Sequence, residues 1–199
     1  GSKPEELLAT NEYGFSAPSV TPDGKWLAYH GTKTNRDIWV LPLEGEHKPR
    51  PLLQEPFGES APAFSPDGRW MAYVSDESGQ FEVYVRPFPS LDGKWRISTE
   101  GGEGPLWNPN GRELVYRSGD RMMAVDVASQ PTFTPGKPKM IFQGPYEPDP
   151  TGGRPNYDVS RDGQRFLMMK TAEQQSADLT QINVVLNWFE ELKQKVPVK

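Results

Sequence analysis

The sequence predicts an all-β fold: a β-propeller of four-stranded antiparallel blades, four repeats in this chain, with a short C-terminal helix. Three observations lead there. Thr21-Pro22-Asp23-Gly24-Lys25-Trp26-Leu27-Ala28-Tyr29 recurs as Ser65-Pro66-Asp67-Gly68-Arg69-Trp70-Met71-Ala72-Tyr73, more weakly at 108–116 and most weakly at 160–168. The Asp/Asn-Gly anchors fall at 23, 67, 110 and 162, in steps of 44, 43 and 52 residues. A period in the forties with strand–turn–strand content is what propeller blades produce. The abundant Gly (19) and Pro (21) sit at fixed places in this repeat, so they punctuate turns and do not signal low complexity.

The second repeat justifies the elements in order. Ala61 to Ser65 reads as a short inner strand. Pro66-Asp67-Gly68 makes a tight turn, because Pro sets φ, Asp bonds locally and Gly accepts positive φ. Trp70 to Val74 is the second strand and Asp76-Glu77-Ser78-Gly79 the next turn. Phe81 to Val85 is a third strand rich in β-branched and aromatic residues. Pro87-Phe88-Pro89 ends it, and Trp95 to Ser98 is the outer strand.

The other repeats follow suit. Third strands are expected at Ile38 to Leu41, Met122 to Val127 and Ile182 to Leu186. Outer strands are expected at Leu7 to Ala9, Pro51 to Leu53 and Met140 to Phe142. Alignment on the anchors makes Pro18, Pro62, Pro105 and Tyr157 equivalent on the inner strands. It likewise makes Val20, Phe64, Trp107 and Val159 equivalent, as residues that pack blade on blade. Trp188, Phe189 and Leu192 fall at helical spacing with Glu early and Lys late, which predicts the C-terminal helix.

The repeats cover nearly all of 1–199, so a single domain is expected. The chain starts on an outer strand and ends without one. That leaves three routes: self-closure as four blades, pairing of two copies as a homodimer, or membership of a larger ring with exposed apolar surface.

Composition removes several functions. The net charge of −5 has both signs interspersed and no basic patch, so nucleic acid is not an expected partner. No run of eighteen apolar residues occurs, so no membrane contact by this chain is expected. With no cysteine, disulfides, thiolate chemistry and Cys-ligated metals are excluded.

The Ser/Thr-Pro-Asp-Gly-Lys/Arg-Trp-x-Ala-Tyr phrase resembles the TolB-type, WD40-like propeller repeat, and residues 7 to 196 fit it. Three stretches, 82–89, 156–160 and 184–192, resemble the C-terminal sensor region of bacterial membrane-anchored serine/threonine kinases with TolB-like propellers. The resemblance implies a non-catalytic sensing or protein-interaction module outside the cytoplasm.

The residues themselves offer little chemistry. His30 and His47 lie in no metal-ligand spacing. No Gly-x-Ser-x-Gly elbow occurs, and Ser65 to Trp70 lacks the spacing of the glycosidase Asp box. Gly101-Gly102-Glu103-Gly104 lacks the Lys-Ser/Thr of a phosphate loop. Asp23, Asp67 and Asp162 read as turn formers. No metal or cofactor is expected, and no catalytic residue is assigned.

Binding is expected on the loops at the ends of the channel, since loops on rigid scaffolds carry function. The candidates are Glu59, Glu103, Tyr146, Arg154, Tyr157 and Asp158, toward a protein or small-ligand partner. The rival roles are the gating propeller of a peptidase and a half-ring that assembles with a second copy.

Overall fold

The computed structural model describes residues 15–32, 35–129, 132–147 and 155–170, with the backbone of 183–185. Sixteen strands occur among them, and no α-helix. Blade 1 is β1 (Ser16–Val20), β2 (Trp26–His30), β3 (Ile38–Pro42) and β4 (Arg50–Leu53). Blade 2 is β5 (Glu59–Phe64), β6 (Trp70–Ser75), β7 (Glu82–Pro87) and β8 (Trp95–Arg96). Blade 3 is β9 (Glu103–Trp107), β10 (Glu113–Ser118), β11 (Arg121–Ala128), the short β12 (Thr134–Pro135) and β13 (Lys139–Gln143). Blade 4 is β14 (Tyr157–Val159), β15 (Phe166–Met168) and β16 (Asn183–Val185). Every pairing is antiparallel, and each blade runs from its inner strand outward.

One local device builds every blade. The Ser65 hydroxyl donates to Asp67 Oδ1 (2.6 Å) and accepts from the Trp70 amide (3.0 Å), while the Gly68 amide donates to the Ser65 carbonyl (2.9 Å). Thr21, Asp23 and Trp26 repeat this, as do Ser160, Asp162 and Arg165. In blade 3 two asparagines replace Ser and Asp, and Asn110 Oδ1 accepts from the Arg112 amide (2.8 Å). The four turn glycines all have φ near +70°, which explains Gly there. The Thr21 hydroxyl bond holds the exposed Asp23 carboxyl below its ordinary range, and the Ser160 bond does the same for Asp162.

A second device shapes the channel. The inner strands β1, β5 and β9 each slip register at a bulge, with positive φ at Ala17 (48°), Ala61 (50°) and Gly104 (57°). These positions are equivalent in the repeat. Each bulge precedes a proline, and together they turn Pro18, Pro62 and Pro105 toward the channel.

Three cores lie between the blades. Ala28, Ile38 and Val40 of blade 1 meet Phe64, Met71 and Tyr73 of blade 2. Ala72, Val74 and Val85 of blade 2 meet Trp107, Leu114 and Tyr116 of blade 3. Val115, Met122 and Ala124 of blade 3 meet Tyr157, Val159, Phe166 and Met168 of blade 4. Among the described residues, none of these cores joins blade 4 to blade 1.

This corrects one sequence expectation. Phe64, Trp107 and Val159 are buried, each against the preceding blade, but the equivalent Val20 is 47% exposed. No blade precedes the first among the described residues, and none of these supplies Val20 with the partner that its equivalents have. Blade 4 mirrors this. Ala28, Ala72 and Val115 are fully buried against the following blade, while the equivalent Leu167 is 41% exposed. Met169, two residues on, is 54% exposed.

Blade 3 also holds an element the sequence reading lacked. β12 pairs with the end of β11 and brings Phe133 into the blade 2–3 core, against Trp70 (4.8 Å between centroids), Trp95 (5.2 Å) and Trp107 (6.4 Å). The expected outer strand at 7–9 and the C-terminal helix lie outside the described residues.

Candidate functional site: the channel mouth

The inner strands line a cleft of about 260 Å3 whose wall is Ala17, Pro18 and Ser19 from β1, Ala61, Pro62 and Ala63 from β5, Pro105 and Leu106 from β9, and Pro155 ahead of β14. Pro155 takes the place that the alignment gave to Tyr157. The wall is apolar and small, since every blade contributes its narrowest residues where the strands converge. It carries no carboxylate pair and no nucleophile–base pair. Among the described residues no group of three or more His, Asp or Glu side chains could hold a metal ion.

The predicted binding residues separate into two groups. Asp158 is exposed on β14, and its Oδ1 accepts from the neighbouring Val159 amide (2.8 Å). Glu103 is half-buried at the start of β9. Neither lines the cleft, and Asp158 stands opposite Leu167 across β14 and β15. Tyr146 is half-buried and stacks on Phe142 (5.7 Å between centroids).

Tyr157 and Glu59 do not face a ligand. Tyr157 is buried, and its hydroxyl donates to the Gly104 carbonyl at 2.7 Å, tying blade 4 to the bulge of blade 3. Burial drives its phenol far above the ordinary range. Glu59 is fully buried, because its pairing with Ser75 at the start of β5 turns it inside. Neither carboxyl oxygen has a hydrogen-bond partner among the described residues. Burial first, and then the carboxylates of Glu55, Asp37 and Asp76, push its carboxyl up to about 8. Arg154 lies outside the described residues.

Glu82 shows the opposite solution for a buried glutamate. It accepts from Ser98 Oγ, Arg96 Nη2 (2.8 Å), Gln80 Nε2 (2.6 Å) and the Gly101 amide (3.1 Å). Burial pushes its carboxyl up, but these donors outweigh it and hold the group below its usual range. The network fixes the 98–102 loop that leads to Glu103. It also requires Gly102, where an added Cβ would lie 2.4 Å from Ser98 Oγ.

The sequence reading missed Arg117. This nearly buried side chain on β10 donates to the carbonyls of Gly119 (2.9 Å), Tyr146 (3.2 Å) and Glu147, and to Asn156 Oδ1 (3.2 Å). Asn156 in turn donates to the Glu147 carbonyl. The clamp pins positions 147 and 156, the two ends of the long connection into blade 4. An arginine next to the apolar run Leu114-Val115-Tyr116 was the available signal.

Comparison with known proteins agrees with this geometry. The family model described as TolB beta propeller domain matches residues 2–184. TolB from Acinetobacter baumannii aligns at 20% identity with a TM-score of 0.62, over 86% of this chain and 41% of that one. The structure of a nidogen/laminin complex gives 12% identity and a TM-score of 0.57, over 78% and 56%. A Bacteroides uniformis protein provisionally named a 6-phosphogluconolactonase gives 16% identity and a TM-score of 0.53, over 77% and 46%. At these identities the structures share the fold alone. The chain spans about four tenths of the length of the A. baumannii protein. No curated protein matches it.

Proposed function

The chain belongs to the TolB β-propeller family, and from that premise we propose that it is a non-catalytic binding platform for a protein or small-ligand partner at the channel mouth. The observation that carries the reading is the apolar, proline-lined cleft held by the inner strands; Asp158, exposed on β14, and Glu103, half-buried on β9, are the acidic groups proposed to serve it. Rigid inner strands hold this wall, so a partner that enters it meets a preformed surface and loses little affinity to reordering. The cleft offers a shaped, mostly apolar wall, and its described lining has no arrangement suited to bond-breaking chemistry.

The setting is part of the same proposal. The family match supports an extracytoplasmic location, and the likeness of 82–89, 156–160 and 184–192 to kinase sensor regions supports a sensory role.

A photo-crosslinking amino acid placed at Asp158 and, separately, at the exposed Met140 of the outer strand β13 tests the reading. In envelope extract, position 158 should capture a discrete partner that position 140 does not. Equal capture, or none, refutes a partner at the mouth. A fluorogenic peptide panel should show no turnover by the purified chain; turnover would restore the peptidase reading.

A further inference from the structure

The repeat sets one side chain at the point where each blade meets the next. Seven residues after the anchor stand His30, Val74 and Arg117, near the ends of β2, β6 and β10. Each makes the contact with the following blade in its own way. Val74 packs into the core shared with blade 3. Arg117 donates to carbonyls of the connection into blade 4. His30 accepts: its Nδ1 takes the amide of Ala61 on β5, at 3.3 Å. Of these three side chains only an imidazole changes charge between pH 5 and 8.

The amide that His30 holds belongs to the bulge. Ala61 is where β5 slips register, its φ is 50°, and the next residue, Pro62, lines the cleft. A left-handed alanine persists only where its surroundings hold it. The other two junctions are tied at their inner strands by groups that keep one state across this range. Trp107 Nε1 donates to the Ala63 carbonyl (3.0 Å), and the Tyr157 hydroxyl donates to that of Gly104 (2.7 Å).

An N–H donates only to an unprotonated nitrogen, so the bond from Ala61 fixes His30 as the neutral tautomer with its proton on Nε2. A second proton lands on Nδ1. Two donors then face each other, and the amide loses its acceptor between two buried residues. The strands around His30 carry few other ionisable groups among the described residues. β1 and β3, which pair on either side of β2, have none. Asp37 precedes β3, and its carbonyl takes the amide of Gly31 (3.0 Å); Arg36 before it lies over the Phe81 ring at 5.2 Å. β5 brings Glu59, with Glu55 and Asp76 around it. Glu59 stays uncharged until about 8, so it offers no counter-charge where an imidazole gains its proton.

We propose that the junction of blades 1 and 2 is a pH-sensitive hinge in the channel wall: when His30 takes up a proton, the Ala61 amide is released, the bulge of β5 relaxes and Pro62 moves out of the cleft wall. The walls supplied by blades 3 and 4 stay as they are. The hinge sets the shape of the cleft and does not depend on what binds there.

Amide hydrogen exchange followed by NMR tests this, with the Asn108 amide of blade 3, bonded to the Glu113 carbonyl (2.9 Å), as internal reference. Relative to Asn108, the Ala61 amide should exchange on the order of tenfold faster at pH 5 than at pH 7, the worth of one hydrogen bond. The midpoint should coincide with the titration of the His30 ring signals and not with those of His47, the other histidine. His30→Gln keeps an acceptor that does not titrate and should flatten the response. His30→Phe removes the acceptor and should leave Ala61 unprotected at both pH values. An Ala61 to Asn108 ratio that is the same at pH 5 and pH 7 overturns the proposal. So does a His30→Gln protein that keeps the wild-type response. If either variant fails to fold, the wild-type ratio and its match to the His30 titration decide alone.

Discussion

At the scale of single residues, the two buried glutamates of blade 2 show how placement decides charge. Glu82 keeps four donors and is held low, whereas Glu59 has none among the described residues and is pushed up to about 8. For Glu59 the folded value lies above the ordinary 4.5, so between these pH values the native state keeps a proton that the unfolded chain has released. Its stabilising contribution is complete below about pH 4.5 and is lost as pH rises through about 8. A tenfold difference in proton affinity between the folded and unfolded states is worth ~1.4 kcal/mol, so the loss is on the order of a few kcal/mol. Glu59→Gln should therefore narrow the gap between the Tm measured at pH 6 and at pH 9; an unchanged gap would show that Glu59 is not the titrating group. Gly102→Ala makes a separate demand. Its Cβ would press on Ser98 Oγ and disturb the Glu82 network, for a cost of about 1–3 kcal/mol in urea unfolding.

Among the elements, the blade strands were legible in sequence because their signals are local. The hydroxyl–Asp–Gly turn closes its own hydrogen bonds within five residues, and alternating apolar residues follow it. The observed β6, Trp70–Ser75, differs from the expected strand by one residue. β12 was not legible, since two residues, Thr134 and Pro135, make a strand only by pairing with Val127 and Ala128. Its consequence is Phe133 among three tryptophans. Phe133→Ala should cost about 3–5 kcal/mol, read as a lower denaturation midpoint, because that cluster cannot close around the void. The Arg117 clamp escaped sequence reading for the same reason: its acceptors include a backbone carbonyl 30 residues away.

For the whole molecule, stability should follow position along the arc. Stacked units contact only their neighbours, so a blade with two covered faces gains two interface contributions and an end blade gains one. Hydrogen exchange should be slowest in β6, β7 and β10. It should be faster in β2 and β15, whose blades carry the exposed Val20 and Leu167 where the equivalent residues elsewhere are buried. Uniform protection across all four blades would refute this gradient.

The order and hand-off of the three inner strands within each blade were set by the sequence itself, because turn chemistry and period-two patterning act over a few residues. The same holds for membership of the TolB repeat class, carried by a phrase of nine residues. Only the tertiary structure could decide which candidate residues meet solvent, that Glu59 and Tyr157 are withdrawn into blade contacts while Asp158 is not, and that Val20 and Leu167 stand exposed where their equivalents are buried. Burial is a property of what packs against a residue, and that neighbour comes from a distant part of the chain.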